Sequence, residues 1–365
     1  MKKLKIAILF GGKSAEHEVS IQSARNVVAA LDPEKYEPVL VGIDRNGTWF
    51  LDERCRDLLE GDPTSTLPDH SEGVTLVSDQ GSGQLIQTRE GSSGAGGIGH
   101  VDVVFPVLHG PYGEDGSLQG LLKQASVPCV GAGVLGSAVG MDKDVMKRLL
   151  RDAGIRTPRF VTFTRSRRHL ANFSDIAGEL KSPLFVKPAN LGSSVGISRV
   201  SDEAAFEQAL DEAFVYDSKV IVEESIQGRE LECAVLGNES PAASTVGEVV
   251  PTDGFYSYEA KYLDENGAAL IIPADLPEAV VAEVQEMSVR VFQTLCCEGM
   301  ARVDFFCRER ELYVNEINTI PGFTRISMYP KLWEASGVPP TELVDRLIQL
   351  AIERHTREQA LRTNR

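Results

Sequence analysis

The segment from residue 302 to residue 323 constrains the fold more than any other part of the chain. Its branched, aromatic and apolar residues alternate with polar ones on both sides of a polar stretch, which predicts two strands joined by a turn near Arg310. Because strand side chains alternate between faces, Glu316 and Asn318 point the same way, and the turn brings Asp304 opposite Glu316. Two carboxylates and an amide oxygen on one face suit Mg²⁺ or Mn²⁺, which share such ligands with nucleotide phosphates. A solvated edge hairpin, whose acidic residues simply face water, is the alternative.

Length and charge bound the possible functions. The chain has 365 residues, of which 42% are apolar, so we expect two or three domains with ample cores. Its 53 acidic and 37 basic residues give a formal charge of -16, which argues against a protein that coats nucleic acid or an anionic membrane. The sequence has no run of 18 apolar residues and no signal-peptide pattern, which predicts a cytoplasmic protein. The six cysteines lack zinc-site spacing and are expected to be free thiols.

The amino-terminal third has the pattern of an α/β domain. An apolar run at 5–10 predicts a buried parallel strand that ends at two glycines, and apolar residues at helical spacing follow up to residue 31. Further strands are expected at 37–43 and 101–108. Residues 60–100 are rich in Gly, Ser, Asp and Thr, which predicts an insertion that ends in a flexible surface loop.

Two glycine-containing turns in this domain are candidate site elements. The turn after the first strand lacks the third glycine of a dinucleotide fingerprint, but it places Glu16 at a helix start. Glu16 either stabilises that helix or binds a cationic amine. The second turn, at 109–120, follows a strand at the edge where open α/β sheets hold ligands. Its Glu114 and Asp115 either cap the helix that begins at Ser117 or contact the substrate directly, and we expect this turn to form a structural floor for the site.

The strongest nucleotide signal is a strand that carries Lys187, followed by a loop with Gly192, Ser193, Ser194 and Gly196. Such a loop can place amides and hydroxyls against phosphate oxygens, while the lysine supplies a positive charge. The glycine–lysine–serine end of a Walker loop is absent, which excludes most P-loop hydrolases. A lysine that lies along the protein surface with its ammonium in water is the alternative interpretation.

Two later segments complete the candidate site. Residues 219–236 predict a strand, a connector and a second strand; the connector backbone suits an adenine base, and a carboxylate suits ribose hydroxyls. An ordinary charged hairpin has the same pattern. Residues 252–262 contain three tyrosines and Lys261 with few helix or strand signals, which predicts a lid that closes over phosphates.

Eight motifs, in this order, resemble those of the D-alanine:D-alanine ligases of the ATP-grasp superfamily: GGKSAEHEVS, HGPYGEDGSLQG, MDK, FVKPANLGSSVG, IVEE…GRELECAVLG, YSYEAKY, ARVDFF and NEINTIPGFTRISM. The resemblance covers nearly the whole chain. It implies a three-domain fold of α/β and α+β type. The expected units are an amino-terminal parallel α/β domain at 1–140, a central ATP-grasp subdomain at 141–235, and a carboxy-terminal ATP-grasp subdomain at 236–365 with a lid near 252–266.

The resemblance also implies residue roles. The residues expected to hold ATP phosphates are Lys143, Lys187 and Lys261. Those expected at adenine and ribose are Glu223, Glu224, Ile226 and Glu230. The implied ligands for two Mg²⁺ or Mn²⁺ ions are Asp304, Glu316 and Asn318. The first D-alanine is expected at Glu16, which hydrogen-bonds to Ser193 and Tyr262. The groups implied at the reacting carboxyl are Arg302 and the backbone of Gly322. The second D-alanine's carboxylate is expected at Ser327 and Met328, beside Arg325 and Ile326, which match the family motif only loosely.

The implied activity is ligation of two D-alanines with ATP, through an acylphosphate, for peptidoglycan synthesis, by a homodimer. Two other classes of protein would differ from this sequence at particular residues. Another carboxylate–amine ligase of the superfamily would lack the set formed by Glu16, Ser193 and Tyr262. A catalytically silent regulator would have lost Arg302 or a metal ligand. The sequence retains all of them.

Overall fold

The computed structural model describes residues 2–51, 53–61, 73–79, 82–88, 97–251 and 268–362. The strands in these ranges are β1 (Leu4–Gly11), β2 (Tyr36–Ile43), β3 (Trp49–Phe50), β4 (Gly73–Asp79), β5 (Ser82–Thr88), β6 (Gly97–His100), β7 (Val103–Pro106), β8 (Phe160–Thr164), β9 (Leu184–Pro188), β10 (Ser198–Val200), β11 (Lys219–Glu224), β12 (Arg229–Gly237), β13 (Ala242–Pro251), β14 (Ala268–Ile271), β15 (Gly299–Arg308) and β16 (Glu311–Asn318). The α-helices are α1 (His17–Ala30), α2 (Glu53–Glu60), α3 (Ser117–Gln124), α4 (Val134–Met141), α5 (Lys143–Asp152), α6 (Phe173–Leu180), α7 (Glu203–Tyr216), α8 (Glu278–Thr294), α9 (Met328–Ala335) and α10 (Pro340–Gln359).

The amino-terminal sheet has the order β3-β2-β1-β7, in which β2, β1 and β7 run parallel. The predicted parallel α/β domain is therefore confirmed. Apolar residues of β1, including Ile6 and Ile8, belong to a hydrophobic cluster that also contains Leu343 and Leu347 of α10. A parallel strand covered on both faces is apolar throughout, which explains the uninterrupted run at 5–10. The carboxy-terminal helices thus contribute to the core of the amino-terminal sheet.

The insertion contains a sheet that the sequence analysis did not predict. Strands β4, β5 and β6 pair antiparallel in that order; the flexible loop was expected at the end of the insertion, where the described residues 97–100 form β6 instead. Val74, Leu76 and Leu85 are buried in a cluster with residues of β1 and β7. Their alternation with polar residues is a strand signal, but it is short and lies among glycines and serines, which obscured it.

Two antiparallel sheets form the rest of the fold. The first has the order β10-β9-β11-β8 and shares a hydrophobic cluster with α6 and α7. The second has the order β14-β13-β12-β15-β16, and α8 packs in its core cluster. The connector 225–228 joins β11 in one sheet to β12 in the other. The border expected between residues 235 and 236 lies within β12, and we propose that the two subdomains meet at this connector instead.

The helix predicted at 141–154 is observed as α5, and its start is defined by a cap. Asp142 Oδ1 accepts hydrogen bonds from the backbone N–H groups of Asp144 and Val145, at 3.1 and 3.0 Å. Such a cap satisfies donors that the helix itself cannot pair. Lys143 is therefore the first residue of a helix whose start is well defined. None of the helices in the described ranges has the length and apolar character needed to cross a membrane.

Candidate active site

The predicted hairpin is present, and its register is as expected. β15 and β16 are antiparallel, and Asp304 lies opposite Glu316 while Arg302 lies opposite Asn318. The turn is formed by Glu309 and Arg310. β16 is an edge strand, as the alternative interpretation required, and Glu311 at its start is exposed, but the two carboxylates of the predicted metal site are not. The side chains of Asp304 and Glu316 are only 14% and 19% exposed.

Cations lie against each carboxylate of the hairpin. The Arg302 guanidinium contacts both oxygens of Asp304 at 2.7 Å, and its Nε also lies 2.7 Å from Glu232 on the neighbouring strand β12. Lys143 Nζ lies 3.2 Å from Glu316 Oε2. Paired charges of this kind can be held away from water, whereas an isolated buried charge would be very costly.

The residues of the hairpin fit a divalent cation when a ligand supplies further oxygens. Within the described ranges, no group of three or more His, Cys, Asp or Glu side chains converges on one point. Two carboxylates, of Asp304 and Glu316, and the amide of Asn318 share one face instead. Asn318 Nδ2 donates to Asp304 Oδ2 at 3.0 Å, and rotation of this amide would present its oxygen. An incomplete set of oxygen ligands is typical of Mg²⁺ sites that share the ion with phosphates.

Two adjoining cavities contain the described residues of the candidate site. The first cavity is lined by the following predicted residues: Glu16, Ser193, Arg302, Glu316, Asn318, Gly322, Ser327 and Met328. The second cavity is lined by these: Lys143, Lys187, Ser193, Glu223, Glu224, Ile226, Glu230 and Glu316. Gly192, Ser193 and Glu316 line both cavities. Asp304 lines neither, but it contacts Arg302 and Asn318, which line the first.

The lysines of the second cavity lie on two rigid elements. Lys143 begins α5, donates to Leu191 O at 2.8 Å and is 6% exposed. Lys187 extends from β9 and lies 2.5 Å from Glu223 Oε2. The alternative of a surface lysine is therefore wrong for Lys187, which is 7% exposed. Both ammonium groups are held in the cavity by carboxylates or carbonyls.

The glycine–serine loop joins the two cavities and has a special backbone. Ser193 and Ser194 have φ angles of +52° and +59°, and Gly196 has φ +69°. A non-glycine residue in this left-handed region is uncommon, and such residues concentrate where a loop has a function. Left-handed residues in a turn can also direct successive N–H groups inward, as anion-binding loops do.

The connector between β11 and β12 forms one end of the second cavity. Ile226 is 8% exposed, and Glu230 lines the cavity from β12. The carboxylate of Glu224 is engaged elsewhere, because Arg159 donates to it from its backbone N–H at 2.7 Å and from its guanidinium at 2.9 and 3.0 Å. Glu224 therefore presents mainly its backbone to a ligand in this cavity.

Glu16 is buried in the first cavity and precedes α1, where it makes no side-chain cap. The interpretation of Glu16 as only a helix-stabilising carboxylate is therefore disfavoured. Cβ atoms added at Gly110 and Gly192 would lie 3.2 and 3.4 Å from Glu16 Oε2, so the carboxylate sits between the two glycine-containing turns. Ser193, the predicted partner of Glu16, lines the same cavity.

Glu114 forms a buried floor beside Glu16. Its carboxylate accepts hydrogen bonds from the backbone N–H groups of Gly110 at 2.7 Å and Ile320 at 3.1 Å. Burial and the neighbouring Glu16 raise the pKa of Glu114 to about 8. The structural-floor interpretation is thus confirmed for Glu114, whereas Asp115 accepts from Ser117 N at the start of α3, at 2.9 Å.

The loop 320–327 is hydrogen-bonded to the amino-terminal domain. Phe323 N donates to Ser23 Oγ at 3.1 Å, and Asn26 Nδ2 donates to Phe323 O at 2.8 Å. Within the loop, Ser327 Oγ accepts from Thr324 N at 2.9 Å. A Cβ at Gly322 would lie 2.7 Å from Ser327 Oγ, so a larger residue there would force the Ser327 hydroxyl to move.

Sequence reasoning missed several residues of the site. They are Ser23, His109, Lys147, Glu232 and Asn315. Lys147 is fully buried and lies 3.1 Å from Glu223. His109 Nδ1 donates to Ile320 O at 3.0 Å, and burial lowers the pKa of its ring. Only Lys147 carried a usable signal, because it lies four residues after Lys143 on one helix face.

The predicted roles of Lys261 and Tyr262, and the lid near 252–266, lie outside the described residues. They remain predictions from the sequence.

Comparison with known proteins agrees with this geometry. The family model "D-ala D-ala ligase N-terminus" matches residues 5–132, and "D-ala D-ala ligase C-terminus" matches residues 149–349. A relative in Shouchella clausii, named D-alanine--D-alanine ligase, is 52% identical over 100% of this chain and 99% of its own length.

Solved structures with similar folds carry related names. The D-alanine-D-alanine ligase from Coxiella burnetii is 40% identical with a TM-score of 0.84, covering 98% of this chain and 97% of the other. The VanG D-Ala:D-Ser ligase from Enterococcus faecalis is 36% identical with a TM-score of 0.83, covering 96% and 100%. A Bacillus anthracis D-alanine--D-alanine ligase complexed with ATP is 27% identical with a TM-score of 0.71, covering 97% and 99%. This chain therefore belongs to the D-alanine–D-alanine ligase family.

Proposed function

We propose that this chain joins two D-alanines into D-alanyl-D-alanine with ATP, through an acylphosphate intermediate. The observation that carries the proposal is the shared wall of the two cavities, formed by Gly192, Ser193 and Glu316. A phosphoryl group held at this wall can pass from a nucleotide in the second cavity to a carboxylate in the first. Family membership and the ATP complex of a relative support the assignment of the two ligands.

The second cavity is proposed to bind ATP. Lys143 and Lys187 would neutralise phosphate charge, and the loop at 192–196 would donate N–H groups to phosphate oxygens. The connector backbone would pair with the adenine edge near Ile226, and Glu230 would accept hydrogen bonds from ribose hydroxyls. Glu223 would face the base.

The hairpin residues Asp304, Glu316 and Asn318 are proposed to hold two Mg²⁺ or Mn²⁺ ions together with ATP phosphates. Such ions supply charge neutralisation to the transferring phosphoryl group. The contacts of Arg302 with Asp304 and of Lys143 with Glu316 would orient these carboxylates before the ligands arrive.

The first cavity is proposed to bind both amino acids. Glu16, with Ser193, would hold the ammonium of the first D-alanine, and Ser327 with Met328 would hold the carboxylate of the second. Arg302 and the Gly322 N–H would donate to the oxyanion of the tetrahedral intermediate. One such donor contributes about 3 to 4 kcal/mol to transition-state stabilisation. Arg302 is suited to this role because its contacts with Asp304 and Glu232 fix its orientation.

The reaction needs water to be excluded, because an acylphosphate hydrolyses readily. We propose that residues 252–266 close over the phosphates, that Lys261 adds positive charge there, and that Tyr262 hydrogen-bonds to Ser193 and Glu16. We also propose a cytoplasmic homodimer that supplies peptidoglycan synthesis. Sedimentation of the purified chain tests the dimer.

The decisive experiment is release of phosphate from ATP with single amino acids and hydroxy acids. We expect release with D-alanine and Mg²⁺, and D-alanyl-D-alanine in the product by mass spectrometry. Equal turnover with L-alanine, or no turnover with D-alanine and Mg²⁺, would contradict the proposal. D-serine and D-lactate belong in the panel because a mixed dipeptide or an ester as the main product would change the assigned second substrate.

A further inference from the structure

Lys147 is a buried cation that the proposed mechanism does not use. It lies on α5, one turn after Lys143, and both side chains are on the same helix face. Lys143 lines the second cavity, whereas Lys147 is not among the cavity's lining residues and is 0% exposed. A fully buried ammonium is expensive unless a partner compensates its charge. An ammonium at this position, behind the cavity wall, therefore needs a compensating negative charge.

The partner of Lys147 is Glu223, a residue of β11 that is only 2% exposed. Lys147 Nζ lies 3.1 Å from Glu223 Oε1, and Lys187 Nζ lies 2.5 Å from Glu223 Oε2. One carboxylate is thus held between two ammonium groups, of which one faces the protein interior and the other the cavity. Burial alone would raise the pKa of Glu223, but Lys147 and Lys187 hold it below its ordinary value.

The charge of this cluster depends on Lys147. With all three groups ionised, the two ammonium groups exceed the one carboxylate by one positive charge, and Lys187 is the lysine of the three that lines the cavity. Without Lys147, Lys187 would form a neutral pair with Glu223 and would be held away from an anionic ligand. Buried ion pairs are sensitive to such a loss, because removal of one partner leaves the other charge less well compensated.

Glu223 also lines the cavity, and its charge state decides what it can recognise there. An ionised carboxylate only accepts hydrogen bonds, whereas a protonated one can donate. Adenine presents an amine donor at position 6, and hypoxanthine presents a carbonyl oxygen at the same place. An ionised Glu223 therefore favours adenine over hypoxanthine.

We infer that Lys147 is a positioning residue for nucleotide recognition: by compensating Glu223 from behind, it leaves Lys187 available to the phosphates and keeps Glu223 as an acceptor for the base amine. This inference rests on the proposed ATP site. It assigns Lys147 no contact with the nucleotide and no role in amino-acid binding.

The test is Lys147→Met, with binding of ATP and ITP in Mg²⁺ measured by calorimetry and steady-state KM values measured alongside. We expect ATP affinity to fall about tenfold and the preference for ATP over ITP to fall about tenfold, since a hydrogen bond to a charged group is involved. The KM for D-alanine should stay near its wild-type value. Lys123→Met, which removes an exposed lysine of α3, is the control and should change neither affinity.

The variants Glu223→Gln and Lys147→Met/Glu223→Gln separate positioning from a general structural role. Once Glu223 is neutral, Lys147 has no charge to compensate, so the double variant should bind ATP within about twofold of Glu223→Gln. A further tenfold loss in the double variant, or its failure to fold when Glu223→Gln folds, would overturn the inference. So would wild-type ATP affinity and base preference in Lys147→Met.

If Lys147→Met does not fold, the ATP affinities of Glu223→Gln and the double variant are sufficient to test the role of Lys147. Nucleotide binding is measured without turnover, so a failure of the ligase proposal is separate from a failure of this inference. A wild-type chain that binds ATP and makes no dipeptide overturns only the proposed reaction.

Discussion

The two cavities are built in different ways. Charges of the second cavity are compensated by lysine–carboxylate pairs from α5, β9, β11 and β16, all between residues 143 and 316. The first cavity also contains the Arg302 ion pairs with Asp304 and Glu232, but it depends on hydrogen bonds that join the amino-terminal domain to the loop 320–327, such as Phe323 to Ser23 and Ile320 to Glu114. Ion pairs between α5 and neighbouring strands therefore hold the second cavity together. Hydrogen bonds between distant segments of the chain hold the first. We expect substitutions in the two cavities to affect different measurements.

The largest expected effect is that of Glu316→Gln, at the wall that both cavities share. The change keeps the side-chain shape and removes a charged ligand for the proposed cations. Turnover should therefore fall about a thousandfold, which corresponds to an activation free energy about 4 kcal/mol higher. Turnover over a range of Mg²⁺ and the thermal midpoint are measured together.

The matched control is Glu311→Gln on the same strand, whose side chain pairs with Arg156 at the surface. It should keep wild-type turnover. Near-native turnover of Glu316→Gln at low Mg²⁺ would show that the hairpin is no metal site and that the charge of Glu316 is not needed at the wall shared by the cavities.

The stability of the first cavity should depend on pH through Glu114. The pKa of Glu114 is raised to about 8, mainly by burial and then by Glu16. The folded protein therefore keeps a proton that the unfolded chain loses above its ordinary pKa of 4.5. Stability contributed by that proton is present at low pH and is lost as pH rises toward 8. Between about pH 5.5 and pH 8 the free energy of unfolding should fall by about 3 kcal/mol through this group.

Urea unfolding of the wild type and Glu114→Gln at both pH values measures the difference. The free energy of unfolding should fall about 3 kcal/mol more in the wild type than in the variant, which cannot ionise at this position. Parallel pH curves for the two proteins would mean that Glu114 titrates at an ordinary pH, in which case its two backbone hydrogen bonds outweigh burial.

A third change, Ser23→Ala, tests whether the hydrogen bonds between the amino-terminal domain and the loop 320–327 maintain the first cavity. It removes the acceptor for Phe323 N–H and leaves that buried donor unpaired, at a cost of about 2 kcal/mol. The KM for D-alanine should rise, and the KM for ATP should change little. Thermal unfolding and separate titrations of the two substrates measure this.

Ser288→Ala serves as its control, because Ser288 is equally buried but lies on α8, where it donates to Val284 O of the same helix. This variant should leave both KM values unchanged. Equal rises of both KM values in Ser23→Ala would show that the two cavities do not respond independently, against the comparison made above.

The smallest expected effect concerns Tyr262, whose role is proposed from the sequence. Tyr262→Phe removes one hydrogen bond, worth about 1 kcal/mol. If Tyr262 helps to select an amine as the second nucleophile, the variant should form measurable D-alanyl-D-lactate at lower pH and keep some dipeptide activity. Mass spectrometry of the products decides, and substantial ester from the wild type near neutral pH would show that Tyr262 does not set the choice.

The second cavity was largely predictable because its signals are local. Lys187 and the loop that follows it are adjacent in sequence, and the alternation of β16 determined which residues face Asp304. The spacing of Lys147 from Lys143 indicated a shared helix face, but its pairing with Glu223 was not predictable, because nothing in a helical pattern says that a lysine will be buried beneath a strand. The sheet β4-β5-β6 was missed because its strands are short and rich in polar residues.

The first cavity could be assigned from family resemblance but not from pattern. Ser23 and Phe323 are separated by 300 positions, and no periodicity connects them. His109 is likewise joined to Ile320 across 211 positions. Such contacts depend on how domains pack, which single-segment patterns do not contain.

The shared core of β1 and α10 has a consequence for how the protein is made. Ile6 and Ile8 are translated well over 300 residues before Leu343 and Leu347, which complete their hydrophobic cluster. At about 5 to 20 residues per second, translation of the intervening chain takes roughly 15 to 70 seconds. For that time the nascent amino-terminal sheet lacks part of its apolar cover. We therefore expect newly synthesised chains to be transient clients of ribosome-associated chaperones, and chains truncated before residue 340 to aggregate even though β1, β2 and β7 are complete.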